Sequence, residues 1–223
     1  MIPAGHTSVM ASRREPPNSL EFFPTPPWAT RALLSRVLPS LIKPMPRATA
    51  WDPACGEGHM SEVLAESFET AFASDIFDYG CGYQVADFLD PTVHPAVQPD
   101  AIITNPPFAP AVQFAERALE LAPVVALLLR TNWLEGIERY QTLFRRRPLT
   151  LYAPFVERVP MVKGRWDPKA STATAYAWFV WVDGVAPRPL FQIPPGCREA
   201  LTRPDDVRRF AVRSPAPLLD AAE

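Results

Sequence analysis

Six consecutive apolar residues, Val124, Val125, Ala126, Leu127, Leu128 and Leu129, constrain this chain more than any other segment. A run so short and so uniformly apolar reads as a strand covered on both faces, and such strands belong to parallel sheets. The surrounding sequence supplies the companions. Short strands are predicted over residues 48–52, 71–75 and 101–104. Helical patterns separate them: Met60, Val63, Leu64 and Phe68 within 59–68, then Val112, Ala115, Leu119 and Ala122 along 110–122. Ile137, Tyr140, Leu143 and Phe144 suggest another helix after the apolar run. Strands alternating with helices of this length give βαβ units and a mainly parallel sheet. Residues 149–152 and 176–182 are expected to form a hairpin pair closing it, and 79–100 to hold one more strand and one more helix.

At Thr25, Pro26 and Pro27 a helix start is readable, with the Thr25 hydroxyl as cap and proline tolerated in the first turn. Leu33, Leu34, Val37, Leu38 and Leu41 follow at spacings of three and four, and Pro39 should end the helix before Leu41. A mobile tail over 1–20 is expected to precede a single domain over 21–185. Residues 186–223 contain seven prolines and read as a strap with a short helix near 204–210.

At 223 residues the chain can bury a substantial core without a metal or disulfide. Its three cysteines, Cys55, Cys81 and Cys197, are too scattered for a disulfide scaffold or a zinc site, and no metal is expected. No run of 18 apolar residues occurs and the start lacks a signal peptide's apolar core, so a soluble, cytoplasmic protein is expected, with no membrane partner. The formal charge of −2 excludes bulk affinity for nucleic acid or membranes. Its distribution is uneven. Residues 50–120 hold twelve acids against one base, Arg117, a net of −11, whereas 139–169 hold eight bases against two acids, a net of +6. The basic strip suits phosphates or an ordinary solvated face equally well. Of the 22 bases 19 are arginine, so residue type alone does not decide between these.

The chemistry concentrates at predicted strand ends. Asp52, Pro53, Ala54, Cys55, Gly56, Glu57 and Gly58 form a turn whose two glycines permit close backbone approach to a ligand; it also suits a plain strand–helix junction. It is neither a GxGxxG nor a P-loop pattern, which points away from a phosphate cradle and toward a nucleoside site. Asp75, at the next strand end, can accept two ribose hydroxyls. Asp87 can take an amino group, with Phe88 beside it, or can be a surface acid. The sharpest signal is Asn105, Pro106, Pro107 and Phe108. Two prolines remove two backbone donors, leaving the Asn105 side-chain oxygen and the Pro106 carbonyl to receive one –NH2 group, while Phe108 offers a flat face to the ring that carries it.

Together with Phe23, Pro24, Thr25 and Pro26, these pieces resemble, in family order, the S-adenosylmethionine-dependent amino-methyltransferases, particularly the N6-adenine DNA methyltransferases. The resemblance spans about residues 20–182. It implies an α/β fold: a seven-stranded, mostly parallel Rossmann-like class I methyltransferase sheet with one antiparallel strand and helices on both faces. It implies S-adenosylmethionine as cofactor, held by Phe23, Thr25, Pro26, Asp52, Ala54, Gly56, Gly58, Asp75, Ile76, Asp87 and Phe88. Asn105, Pro106 and Phe108 would hold a flipped-out adenine for methylation at N6. No long target-recognition region follows Phe108; the basic loop over 155–170 is the candidate substrate contact. Arg145, Arg146, Arg147, Arg158, Lys163, Arg165 and Trp166 are the expected nucleic-acid contacts. DNA is the expected partner, with a partner subunit or homodimer open as the source of target recognition. The alternatives are adenine in rRNA or tRNA, a protein glutamine amide, for which the family usually carries tyrosine in place of Phe108, and a catalytically silent binding module.

Overall fold

Successive strand residues divide between two apolar cores. Ala50, Ala101, Ile103, Ala126, Leu128, Trp178 and Val180 pack on one face with Trp28 and Leu33, whereas Trp51, Ile102, Val125, Leu127, Phe179 and Trp181 pack on the other with Phe114, Ala115 and Ala118. A period of two in strands buried throughout means helices on both faces of one sheet. The computed structural model describes residues 21–44 and 47–211; the expected tail over 1–20 and the last part of the strap, 212–223, lie outside the described residues.

The strands are β1 (Thr49–Asp52), β2 (Thr70–Asp75), β3 (Gln84–Val85), β4 (Ala101–Thr104), β5 (Val124–Arg130), β6 (Leu151–Pro154) and β7 (Tyr176–Val182), in the spatial order β3-β2-β1-β4-β5-β7-β6. Every pairing is parallel except the two made by β7, which runs antiparallel to β5 and β6. The expected seven-stranded sheet with one antiparallel strand is therefore present. β6 and β7 do pair, but through residues 155–175 instead of a tight turn. Strand order reverses between β1 and β4, and such a switch point leaves a crevice at the carboxyl ends of the strands.

The helices are α1 (Pro27–Ala32), α2 (Ser61–Leu64), α3 (Ala111–Leu121), α4 (Ile137–Arg139) and α5 (Cys197–Leu201). Several differ from expectation. Pro26, not Thr25, is the N-cap of α1, and it makes no side-chain cap bond. The helix does not run to Pro39 in regular form: it widens into a π turn over Leu33–Val37, then tightens into a 3-10 turn over Leu38–Ser40 whose first turn accommodates the proline. On α3 the buried face is Ala111, Phe114, Ala115 and Ala118, one step round from the predicted stripe. Beyond β5, Leu143 is buried while Ile137 and Tyr140 are exposed.

Residues 79–100 hold only the two-residue β3 and no helix. Asp78, Asp87 and Asp90 each accept the N–H two residues on (Gly80, Leu89 and Thr92), and such local bonds compete with helix formation, as do Pro91, Pro95 and Pro99.

The strap runs beside β6, with Arg188, Phe191 and Ile193 donating to the carbonyls of Thr150, Tyr152 and Pro154, so that edge of the sheet is covered. It is also tied to α1. Buried Arg31 makes a two-pronged contact with Glu66 (2.8 and 2.9 Å) and another with Asp206 (2.7 Å each). Breaking one partner of such a buried set costs about 3–5 kcal/mol.

Candidate active site

At the switch point lies a crevice of about 650 Å³, within the range of small-molecule sites. One wall is the turn after β1. Its entry is pinned by the Cys55 N–H to the Ser74 carbonyl (3.0 Å), and the Gly56 N–H donates to Asp75 Oδ2 (2.8 Å). Gly56 has φ +54°, and a Cβ there would collide with the Phe22 ring; only glycine meets both demands. Asp75 Oδ1 accepts the Phe77 N–H (3.0 Å), so the carboxylate joins the ends of β1 and β2. Each oxygen keeps acceptor capacity for a ligand hydroxyl. Burial raises the Asp75 pKa against the Gly56 and Phe77 bonds.

Beneath this turn Asp52 is fully buried. Thr104 Oγ donates to its Oδ1 (2.7 Å) and Ser61 Oγ to its Oδ2 (2.9 Å). Burial pushes its pKa up to about 7, the two hydroxyls resist the shift, and the Asp75 charge adds to it. The Thr104 bond locks the end of β4 to the end of β1, one residue before Asn105.

Asn105 Nδ2 donates to the Phe23 carbonyl (3.0 Å) and touches Met161 Sδ (3.7 Å). The amide orientation follows, because only the –NH2 end can face a carbonyl. Its Oδ1 is buried and has no hydrogen-bond partner among the described residues. Pro106 and Phe108 line the same crevice. The Phe108 ring packs against Phe23 (centroids 5.7 Å apart), its N–H is accepted by Glu21 Oε2 (2.6 Å), and the Arg130 guanidinium lies 4.2 Å above it.

Of the expected cofactor residues, Phe23, Thr25, Asp52, Ala54, Gly56, Asp75, Ile76, Asp87 and Phe88 line the crevice; Pro26 and Gly58 do not. Pro26 is buried as the cap of α1. Gly58 is needed because Tyr83 packs where its Cβ would stand. The Phe88 ring is 2% exposed between Trp51 and Phe114, so it braces the wall more than it offers a face. Asp87 spends one oxygen on the Leu89 N–H and keeps the other.

The expected nucleic-acid contacts divide. Arg158, Lys163 and Arg165 are exposed on the loop joining β6 to β7, at the crevice end of the sheet. The Gly164 N–H of that loop donates to the Phe22 carbonyl (2.9 Å), so the loop is fastened to the segment over the crevice. Arg145, Arg146 and Arg147 belong to the other end. The Arg147 carbonyl accepts from Trp181, whose register partner on β5 is Val125, five residues and about 17 Å from the crevice end of that strand. Trp166 is also corrected: it is 5% exposed, packs with Val63 and Phe210, and does not line the crevice.

Sequence reasoning missed Glu21, Phe22, His59, Tyr79 and Arg130. Phe22 packs on Tyr79 (4.7 Å), and His59 bonds the Phe210 carbonyl (3.0 Å), linking crevice to strap. These contacts join distant positions and leave no local pattern. Arg130, the first charge after the apolar run, was the one visible hint.

The crevice fits S-adenosylmethionine in size and in donor chemistry: acids at two strand ends for hydroxyls and amines, a close backbone approach at Gly56, and exposed Ile76 beside Asp75 as an apolar face. No protein-family model matches the chain, and no curated protein matches it by sequence. Solved structures do match. A modification subunit assigned to a type I restriction enzyme of Vibrio vulnificus superposes with TM-score 0.56 at 16% identity, over 78% of this chain and 48% of that one. A protein assigned as an RNA methyltransferase of Pyrococcus horikoshii gives 0.52 at 14%, over 76% and 90%. The methyltransferase subunit of a type I restriction-modification system of Streptococcus thermophilus gives 0.51 at 12%, over 74% and 45%. This chain thus spans about half the length of the two restriction-system subunits. These likenesses establish the class I methyltransferase fold. Among the described residues no helix is long and apolar enough to cross a membrane.

Proposed function

We propose that this chain transfers a methyl group from S-adenosylmethionine to the N6 amine of adenine in DNA. The observation that carries the reading is the Asn105 side-chain oxygen: buried, without a partner, and turned by the Phe23 carbonyl so that it can only accept. An unsatisfied buried acceptor costs about 1–3 kcal/mol, and an incoming –NH2 donor removes that cost.

When bound, the cofactor supplies an electrophilic methyl group. Asp75 would accept from its ribose, and Asp52, Thr104 and Ser61 hold the ends of β1 and β4 on which Asp75's neighbours and Asn105 stand. The Asn105 oxygen and Pro106 carbonyl hold the target amine, orienting its lone pair along the transfer direction. Phe108 walls the ring. Asn105 is an acceptor and not a base, so the proton of the target amine would pass to solvent. The base reaches the crevice flipped out of its stack.

Phenylalanine at position 108 favours adenine over a glutamine amide, and the exposed bases of the 155–170 loop favour a phosphate-bearing substrate. A second reading, adenine in RNA, draws on the Pyrococcus structure, matched over 90% of its length. We assign target selection to a partner subunit or a second copy of this chain. The test incubates the protein with methyl-labelled cofactor and a mixture of DNA, ribosomal and transfer RNA and a glutamine peptide. N6-methyladenine in DNA is the expected product. Cofactor binding with no labelled nucleic acid overturns the proposal.

A further inference from the structure

We infer that Arg130 is a phosphate-binding residue that holds the backbone of the target nucleotide beside Phe108. This rests on the reading of the crevice as an adenine site and adds to it a contact that separates a nucleotide from an amide-bearing side chain.

Arg130 closes β5, the one exposed residue of a strand otherwise buried throughout. Its guanidinium carbon lies 4.2 Å from the Phe108 ring centroid, close enough for a cation–π contact. Its cross-strand partner is Tyr176, which is buried. The ring contact thus orients a planar fork that carries five donors. Among the described residues no carboxylate pairs with it. Arg31, which is buried, shows the contrast: its donors are spent on Glu66, Asp206 and the Leu201 carbonyl. Glu21, which lines the same crevice, is bonded to the main-chain N–H of Phe108, and no ion pair between it and Arg130 is present among the described residues.

An oriented cation with unused donors, resting on the ring that walls the base, suits an anion attached to that base. A nucleotide carries its phosphate one sugar away from the base; a glutamine side chain carries nothing comparable. Planar two-pronged recognition of phosphate is what the guanidinium provides and an ammonium does not.

The test uses the full chain with Arg130→Met, which keeps length and packing, and Arg130→Lys, which keeps the charge alone. Binding of a mixed-sequence single-stranded oligonucleotide is followed across a salt series. Arg130→Met is expected to lower the slope of log K against log salt by about 0.7, the value for one phosphate contact on a single strand, and Arg130→Lys to keep the slope while weakening binding. Wild type should methylate deoxyadenosine monophosphate in preference to deoxyadenosine, and Arg130→Met should treat them alike, with cofactor affinity unchanged in both variants. Identical slopes in wild type and Arg130→Met, or equal losses on nucleoside and nucleotide, would make Arg130 a prop for Phe108 and overturn the inference. A lowered slope in a protein that forms no N6-methyladenine would uphold Arg130 and remove the adenine reading instead.

Discussion

The two ends of the sheet treat polar groups in opposite ways. At the amino-terminal end they close on one another: Thr49 bonds Asp100 through both its N–H (2.7 Å) and its hydroxyl (3.1 Å), Trp181 donates to the Arg147 carbonyl, and the Thr150 hydroxyl accepts the Val182 N–H (2.8 Å). At the carboxyl end the same strands carry an acceptor with no donor, a carboxyl raised by burial to about 7, and an exposed guanidinium stacked on an aromatic ring. The first arrangement stabilises the fold. The second leaves the Asn105 oxygen without a donor and the Arg130 guanidinium without an acid among the described residues, where a ligand could complete the bonding.

The largest expected effect breaks the comparison at its centre. Asn105→Ala should lower turnover by about 10²–10³-fold, the scale for losing one preorganised polar contact, while calorimetry shows cofactor affinity nearly unchanged. Equal losses in both would mean that the amide serves the cofactor. Asp75→Ala should do the reverse, weakening cofactor binding by more than about tenfold, the equivalent of one good charged hydrogen bond. Because Asp75 also accepts from Gly56 and Phe77, its Tm should fall as well.

Asp52 sharpens the contrast through pH. Its folded pKa, about 7, lies above its ordinary value of 3.8, so the folded state holds the extra proton between those two values. Stability from this group is therefore full below pH 3.8 and is lost as pH rises through 7. Denaturant unfolding of Asp52→Asn should show a flatter pH dependence across that window than wild type; identical profiles would mean that the carboxyl is not held protonated.

The smallest effect is expected at the amino-terminal end. Reversing the charges of Arg145, Arg146 and Arg147 should leave the salt slope of oligonucleotide binding unchanged, whereas reversing Arg158, Lys163 and Arg165 should flatten it. The opposite ranking would move the substrate surface to the wrong end of the sheet.

What could be read in advance follows from how local each signal is. The strand ends at Asp52, Asp75 and Asn105 were legible because each terminates a short apolar run followed at once by turn residues. Thr104 and Ser61, which hold Asp52, were not, since they lie 52 and 9 residues away from it and carry no pattern. The arginines at 145–147 were visible as charge but not as position, because a run of bases does not say which end of a sheet it occupies. Gly58 was assigned to the ligand when the ring of Tyr83, in a stretch without periodicity, is what requires it.

A crystal structure with S-adenosylhomocysteine and an adenine-containing oligonucleotide tests the central geometry most directly. The account predicts the adenine N6 within hydrogen-bond distance, about 3 Å, of both the Asn105 side-chain oxygen and the Pro106 carbonyl. A base bound elsewhere, or an Asn105 amide turned so that its –NH2 faces the crevice, would contradict it.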